Sequence, residues 1–277
     1  LREASPLSNK LKARSLPIRT KRVLERNRLA YYRRAANSRF WENHWKQSFS
    51  PATYHWAEQG LLGYFEKPFV RWLPREGKIL EAGCGLGQIV LALRQRGWDA
   101  EGVESAADTV ELVRCHRPDL PIRVGDVTDL DVPDGYYSGY ISLGVVEHRY
   151  DGPAPFLGEA HRVLRREGIA MVSVPHLHPL RSLKAGLGLY RGHVDGLEFY
   201  QYAFRTGEFT DLMRESGFRV LDVVPYDGFK GIKDEVPILR NLLQWARRRV
   251  LLGEALHRVL KNSRFGHMVL VVGRKEQ

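Results

Sequence analysis

From Pro74 onward the chain alternates short apolar runs with amphipathic stretches, the rhythm of strands and helices taken in turn. Lys78-Ile79-Leu80-Glu81 predicts a buried strand that runs into a glycine-rich turn, with a helix from Leu86 to Arg96 after it. Asp99 to Glu104 predicts a second strand and Ala106 to Cys115 its helix. Ile122-Arg123-Val124 and Tyr137 to Leu143 predict the third and fourth strands. A helix over Phe156–Arg165 sets Phe156, Leu157, Ala160, Val163 and Leu164 on one face. Gly168 to Val174 is the fifth strand, closed by Pro175. Such repetition predicts a parallel sheet with helices on both faces.

The two ends differ in pattern. Gly207 to Ser216 predicts a helix stopped by Gly217. Phe218 to Val224 and His267 to Val272 predict two terminal strands. Between them an amphipathic helical region, about Val236 to Asn262, carries Ile238, Leu239, Leu242, Leu243, Ala246 and Val250 as its stripe. At the start, residues 1–15 are polar and irregular. The stretch from Leu16 to Ala36 predicts a basic helix with a weak stripe of Val23, Leu24, Tyr31 and Tyr32. Phe40, Trp41, Trp45, Phe49, Tyr54 and Trp56 then crowd into one segment, and rings so dense must bury against something. That segment is expected either to dock on the main domain or to form a lid over a pocket. The expected organisation is a helical, basic and aromatic extension over 1–73 and an α/β domain over 74–277, with insertions at about 176–206 and 229–263.

Composition narrows this. The 277 residues are 43% hydrophobic and 27% charged, as in a globular protein. The net charge of +11 is concentrated in residues 1–40, where twelve Lys and Arg stand against Glu3 and Glu25. A basic arm can meet phosphates or an anionic surface, or simply be solvated. Cys84 and Cys115 form neither a disulfide framework nor a zinc spacing, so no metal is expected. No apolar run is of the secretory kind or long enough to span a bilayer, so a cytoplasmic location is expected.

The candidate chemistry begins at Glu81-Ala82-Gly83-Cys84-Gly85-Leu86-Gly87-Gln88. A tight strand-to-helix turn brings backbone close to a ligand only where side chains are missing, which Gly83, Gly85 and Gly87 provide. In an open α/β sheet, ligands bind beyond the strand ends. A dinucleotide fingerprint read from Gly83 needs glycine where Gln88 stands. Glu81 before the turn would repel a pyrophosphate but can hold a cation. Methionyl ligands carry an ammonium and a sulfonium, so the charge favours S-adenosylmethionine over a dinucleotide. Glu104, next to Ser105, is placed to accept from ribose hydroxyls. Asp126 is placed to accept from an adenine amino group, with Val127 alongside.

These runs, with Ile141 to His148 and Val172-Ser173-Val174-Pro175, resemble the class I methyltransferase family, in its small-molecule branch of types 11 and 12. The resemblance covers roughly residues 75–275. It implies a Rossmann-like seven-stranded, mostly parallel sheet with the last strand antiparallel, and S-adenosyl-L-methionine as cofactor, giving S-adenosyl-L-homocysteine. In that family the segment after the fourth strand faces the methyl group. Here Leu143 and Gly144 would touch the cofactor. His148 is the candidate base, the alternatives being that it caps or packs the following loop or positions substrate, with Glu147 either orienting it or pointing into structure. Some quinone-biosynthesis O-methyltransferases of the family bind a metal through a Glu three residues before the Glu-His pair, where this chain has Gly144.

The acceptor side is expected to draw on Trp41, Tyr54, His176, His178, Tyr200 and Tyr202. The expected activity is methyl transfer to O or N of a small-molecule, even lipid-linked, acceptor. Two alternatives stay open: an RNA methyltransferase using the basic arm, and a non-catalytic cofactor-binding protein. Against RNA, the chain has neither an Asn/Asp-Pro-Pro-Tyr motif nor a Pro-Cys nucleophile. The arginines beside the 236–262 stripe add an expected peripheral contact with an anionic membrane face.

Overall fold

The computed structural model describes residues 20–33, 45–50, 52–236 and 263–276. Its frame is a seven-stranded sheet. In chain order the strands are β3 (Ile79–Ala82), β4 (Ala100–Glu104), β5 (Ile122–Val124), β6 (Tyr137–Leu143), β7 (Leu164–Pro175), β9 (Phe218–Tyr226) and β10 (Met268–Lys275). In space the order is β5-β4-β3-β6-β7-β10-β9. Strands β3 to β7 pair parallel, and β10 alone runs antiparallel, between β7 and β9. This is the Rossmann-like sheet expected from the sequence. The central strands are buried on both faces, which is why Ile79-Leu80-Glu81-Ala82 and Tyr137–Leu143 read as continuous runs rather than alternations.

Helix Gln88–Gln95 buries five consecutive residues, Ile89 to Leu93. A helix covered only by the sheet would bury a stripe. The remainder is covered by the short helices His55–Glu58 and Glu66–Trp72, whose Ala57 and Phe69 share its apolar cluster with Tyr54 and Leu62. The described part of the aromatic segment, Trp45, Phe49, Tyr54 and Trp56, therefore docks on the cluster around the helix that follows the glycine turn. On the opposite face, helix Ala154–Val163 sets Leu157, Ala160 and Val163 into the second cluster.

The basic helix expected over 16–36 is not what the structure holds. Residues Lys21–Glu25 (β1) and Arg28–Arg33 (β2) form an antiparallel hairpin. Arg26 and Asn27 turn it with φ of 47° and 63°, the two left-handed residues a two-residue hairpin loop needs. Strand β8 (Glu198–Ala203) pairs with β2 and completes a three-stranded sheet. The pattern misleads because Leu29 to Tyr32 are buried on both faces, so no period of two shows. Arginines 22, 28 and 33 consequently belong to folded structure rather than to a solvated arm. The extension and the insertion at 176–206 meet in this one sheet. In the second insertion, helix Gly228–Glu235 is seen, while the stripe from Ile238 to Val250 lies outside the described residues. Among the described residues no helix is long and apolar enough to cross a membrane.

Candidate functional site

A cleft of about 880 Å³ opens beyond the C-terminal ends of β3, β4, β5 and β6. The first turn is set by steric demand. Gly83 has φ of 77°, and a Cβ there would lie 2.5 Å from Val145 Cγ2. Gly85 has φ of 52°, and its missing side chain leaves room for the Trp45 ring. Backbone thus approaches the cleft where any larger residue would clash.

Three carboxylates stand around this turn. Glu104 is 6% exposed, and its two oxygens accept from Gly85 N and Ala106 N, each at 2.9 Å. A carboxylate has about four acceptor directions, so it can brace the turn and still accept from a ligand hydroxyl. Glu81 is buried with one bond, from Val90 N at 3.2 Å. Burial, with Glu104 nearby, pushes its carboxyl up to about 8. Asp126 spends Oδ1 on Thr128, accepting from its N at 2.8 Å and its Oγ1 at 2.7 Å, which fixes the turn after β5.

His148 enters from the segment after β6. Its Nδ1 donates to the Tyr200 carbonyl at 2.6 Å, so β8 clamps the ring. Burial holds the imidazole down to about 4, although carbonyls of Tyr200 and Gly144 favour its protonated form. It is therefore neutral near pH 7, with the two carbonyls offsetting part of the cost of charging it. Glu147 is 2% exposed with Oε1 3.9 Å from His148 Nε2, and burial pushes it up to about 8.

Of the residues singled out in the sequence, Glu81, Gly83, Cys84, Gln88, Glu104, Ser105, Asp126, Val127, Leu143, Gly144 and His148 line the cleft. Ala82, Gly85 and Gly87 build the turn behind it. Tyr54 braces that turn, its hydroxyl donating to the Leu86 carbonyl at 2.9 Å.

The expected acceptor residues are placed differently. His176 does not line the cleft: its N–H bonds the His267 carbonyl and its Nε2 lies 3.0 Å from Thr206 Oγ1. His178 is fully buried, edge-on to His176 and Phe265. Tyr202 is fully buried among Tyr150, Phe199 and Phe204. For the two histidines the cause is shared, since the chain after β7 bonds to the approach of β10 and to Phe204, while Tyr202 is held within β8 opposite Ala30 of β2. Tyr200 faces a second cavity but keeps its ring 4.9 Å from His148. Trp41 lies outside the described residues. The apolar wall comes instead from Trp45, Trp56, Phe65, Ile89 and Phe156. Trp45 and Trp56 were visible as part of the aromatic segment; nothing in the sequence singled out Phe65.

Residues 80–172 match the type 11 methyltransferase model, described as a methyltransferase domain. A probable S-adenosylmethionine-dependent methyltransferase of Mycolicibacterium smegmatis is 30% identical over 149 residues, 53% of each chain. The ubiquinone biosynthesis O-methyltransferase of Pseudomonas aeruginosa PAO1 is 26% identical over 159 residues, 53% of this chain and 66% of its own. The chain thus spans about half the length of the mycobacterial relative. Among solved structures, an S-adenosylmethionine-dependent methyltransferase of Mesorhizobium loti superposes with a TM-score of 0.52 at 17% identity, covering 77% of this chain and 99% of that one. Residues 80–172 thus carry the match to a methyltransferase domain, and the sheet has the fold seen in S-adenosylmethionine-dependent methyltransferases.

Proposed function

We propose that this chain is an S-adenosylmethionine-dependent methyltransferase acting on O or N of a small-molecule acceptor. The observation that carries the reading is the ring of Glu81, Glu104 and Asp126 around a turn that only glycine can make. The cleft fits the cofactor's charge, because a buried carboxyl held up to about 8 is stabilised by an incoming cation. Glu81 would face the methionyl part, Glu104 the ribose and Asp126 the adenine, with Val127 and Phe156 as apolar contacts. When bound, the cofactor supplies an electrophilic methyl group.

The chain's own residues then position and deprotonate. The acceptor's O–H or N–H lies toward His148, which takes the proton as the nucleophile attacks in line. The Tyr200 carbonyl holds the ring's orientation and stabilises the imidazolium. Trp45, Trp56 and Phe65 exclude water from the reacting centre. The activity is tested by incubating the chain with methyl-labelled S-adenosylmethionine and a panel of phenols, carboxylates and amines. Label transfer that disappears with Glu104→Ala supports the reading; cofactor binding without transfer to any member favours the non-catalytic one.

A further inference from the structure

A second cavity, of about 650 Å³, has the opposite chemistry. Arg22, Arg33, Arg181, Lys230 and Lys233 line it against one acid, Asp234. They arrive from β1, from β2, from helix Pro179–Gly186 and from helix Gly228–Glu235, so the fold gathers them; no single helix face does.

Beneath them Glu235 is fully buried and shared. It accepts from Arg22, from Arg181 Nε at 3.0 Å, from Lys184 Nζ at 3.0 Å and from the Tyr190 hydroxyl at 2.7 Å. Burial alone would push its carboxyl up, but Tyr190 and the charges of Arg22, Lys184 and Arg181 hold it down to about 2. One carboxylate therefore answers three cations.

The donors also outnumber the acceptors. Arg181 Nη2 lies 2.9 Å from His267 Nδ1, and Lys230 Nζ lies 2.6 Å from His267 Nε2. Burial first, then Arg181 and Lys230, hold that imidazole down to about 2, so it is neutral. A neutral ring accepts at one nitrogen only, and Lys230 also reaches Asp234 Oδ2 at 2.9 Å. Two carboxylates, Glu235 and Asp234, thus already answer Arg22, Arg181, Lys184 and Lys230, while Arg33 and Lys233 add further positive charge. Like charges gathered in a half-buried cavity repel unless an anion joins them. A phosphoryl group brings two charges and three acceptor oxygens, which suits Arg forks and Lys ammonium groups together.

Tyr200 divides this cavity from the cofactor cleft. It lines the basic cavity, Arg33 lies 4.1 Å over its ring, and its ring is 4.9 Å from His148. An anion held here is one side chain away from the proposed base.

We propose that the basic cavity is a phosphoryl-binding site that holds the anionic end of the methyl acceptor. The anion site stands on the cavity alone; its assignment to the acceptor rests on the methyltransferase reading. The test is calorimetric titration of the full chain with inorganic pyrophosphate. One site per chain is expected, weakened at least tenfold by the double substitution Lys230→Ala/Lys233→Ala and largely restored by Lys230→Arg/Lys233→Arg. S-adenosylhomocysteine affinity should be the same in all three proteins, which establishes that the variants fold. No saturable binding, or equal binding by the alanine variant, overturns the site. Sedimentation with phosphatidic acid and phosphatidylcholine vesicles separates the sources. Capture by the acidic vesicles alone, lost in the alanine variant, assigns a lipid headgroup, and pyrophosphate binding without capture assigns a soluble phosphorylated acceptor. The link to methyl transfer is read from nitrogen spectra of labelled histidine. The His148 signal, identified by its loss in His148→Ala, should move when pyrophosphate is added, and an unmoved signal overturns the link. Failure to bind S-adenosylhomocysteine would instead count against the methyltransferase reading and leave the pyrophosphate result intact.

Discussion

His148 Nδ1 lies 2.6 Å from the carbonyl oxygen of Tyr200, so the residue that faces the cleft from the end of β6 is held by a strand of a different sheet. This bond ties the proposed base to β8, and β8 to the N-terminal hairpin. Substituting His148→Ala removes the proton acceptor without touching the carboxylates. Turnover should fall by about a hundredfold or more. S-adenosylhomocysteine affinity should stay unchanged in the same protein, measured by calorimetry.

The hairpin's contribution can be tested at a distance from the chemistry. Leu29 is fully buried in the small-sheet cluster with Tyr31, Leu177 and Ala203. Leu29→Ala should cost about 2–5 kcal/mol in denaturant unfolding, the usual range for emptying a buried leucine site. A solvated arm would show no such loss.

Gly83→Ala should impair the cofactor turn directly. The new Cβ meets Val145 at 2.5 Å on a backbone with φ of 77°. The left-handed conformation alone costs about 1–2 kcal/mol for a residue with a side chain. Lower thermal stability together with weaker S-adenosylhomocysteine binding is expected, and Gly158→Ala, which has open space around it, serves as the control.

The pH dependence has a definite sign. Glu81 and Glu147 keep their protons in the folded chain up to about 8, against an ordinary value of 4.5. The unfolded chain releases those protons first, so their contribution to stability falls as pH rises from about 4.5 to about 8. A cationic ligand beside Glu81 reverses part of this by favouring its ionised form. Binding S-adenosylmethionine at pH 7 should therefore release a proton, seen as a heat that changes with the buffer's ionisation enthalpy. Glu81→Gln should abolish that buffer dependence.

Much of the seven-stranded sheet was legible because its strands are short, buried and punctuated by glycine or proline, and its acids sit at strand ends. The sheet order and the antiparallel β10 follow the family resemblance. The hairpin was not legible: Leu29-Ala30-Tyr31-Tyr32 is covered on both sides, and its partner β8 is some 170 residues away. His176 and His178 looked like pocket residues because they follow a strand end. Their partners, the Gly266 carbonyl, Thr206 and Phe265, come from remote segments that no local pattern reveals. The basic cavity escaped notice for the same reason, since its cations are contributed by four separate elements.

The central claim is that the cleft at the ends of β3, β4 and β5 holds the methyl donor, and Glu104 tests it most directly. That side chain braces Gly85 and Ala106 while lining the cleft. Calorimetric titration with S-adenosylhomocysteine should give one site per chain in the parent protein and at least tenfold weaker binding in Glu104→Ala. Removing the carboxylate also leaves two buried N–H groups unpaired, a cost of about 1–3 kcal/mol each, so the titration is run below the variant's unfolding temperature. Absence of binding in the parent, or equal affinity in the folded variant, would contradict the account.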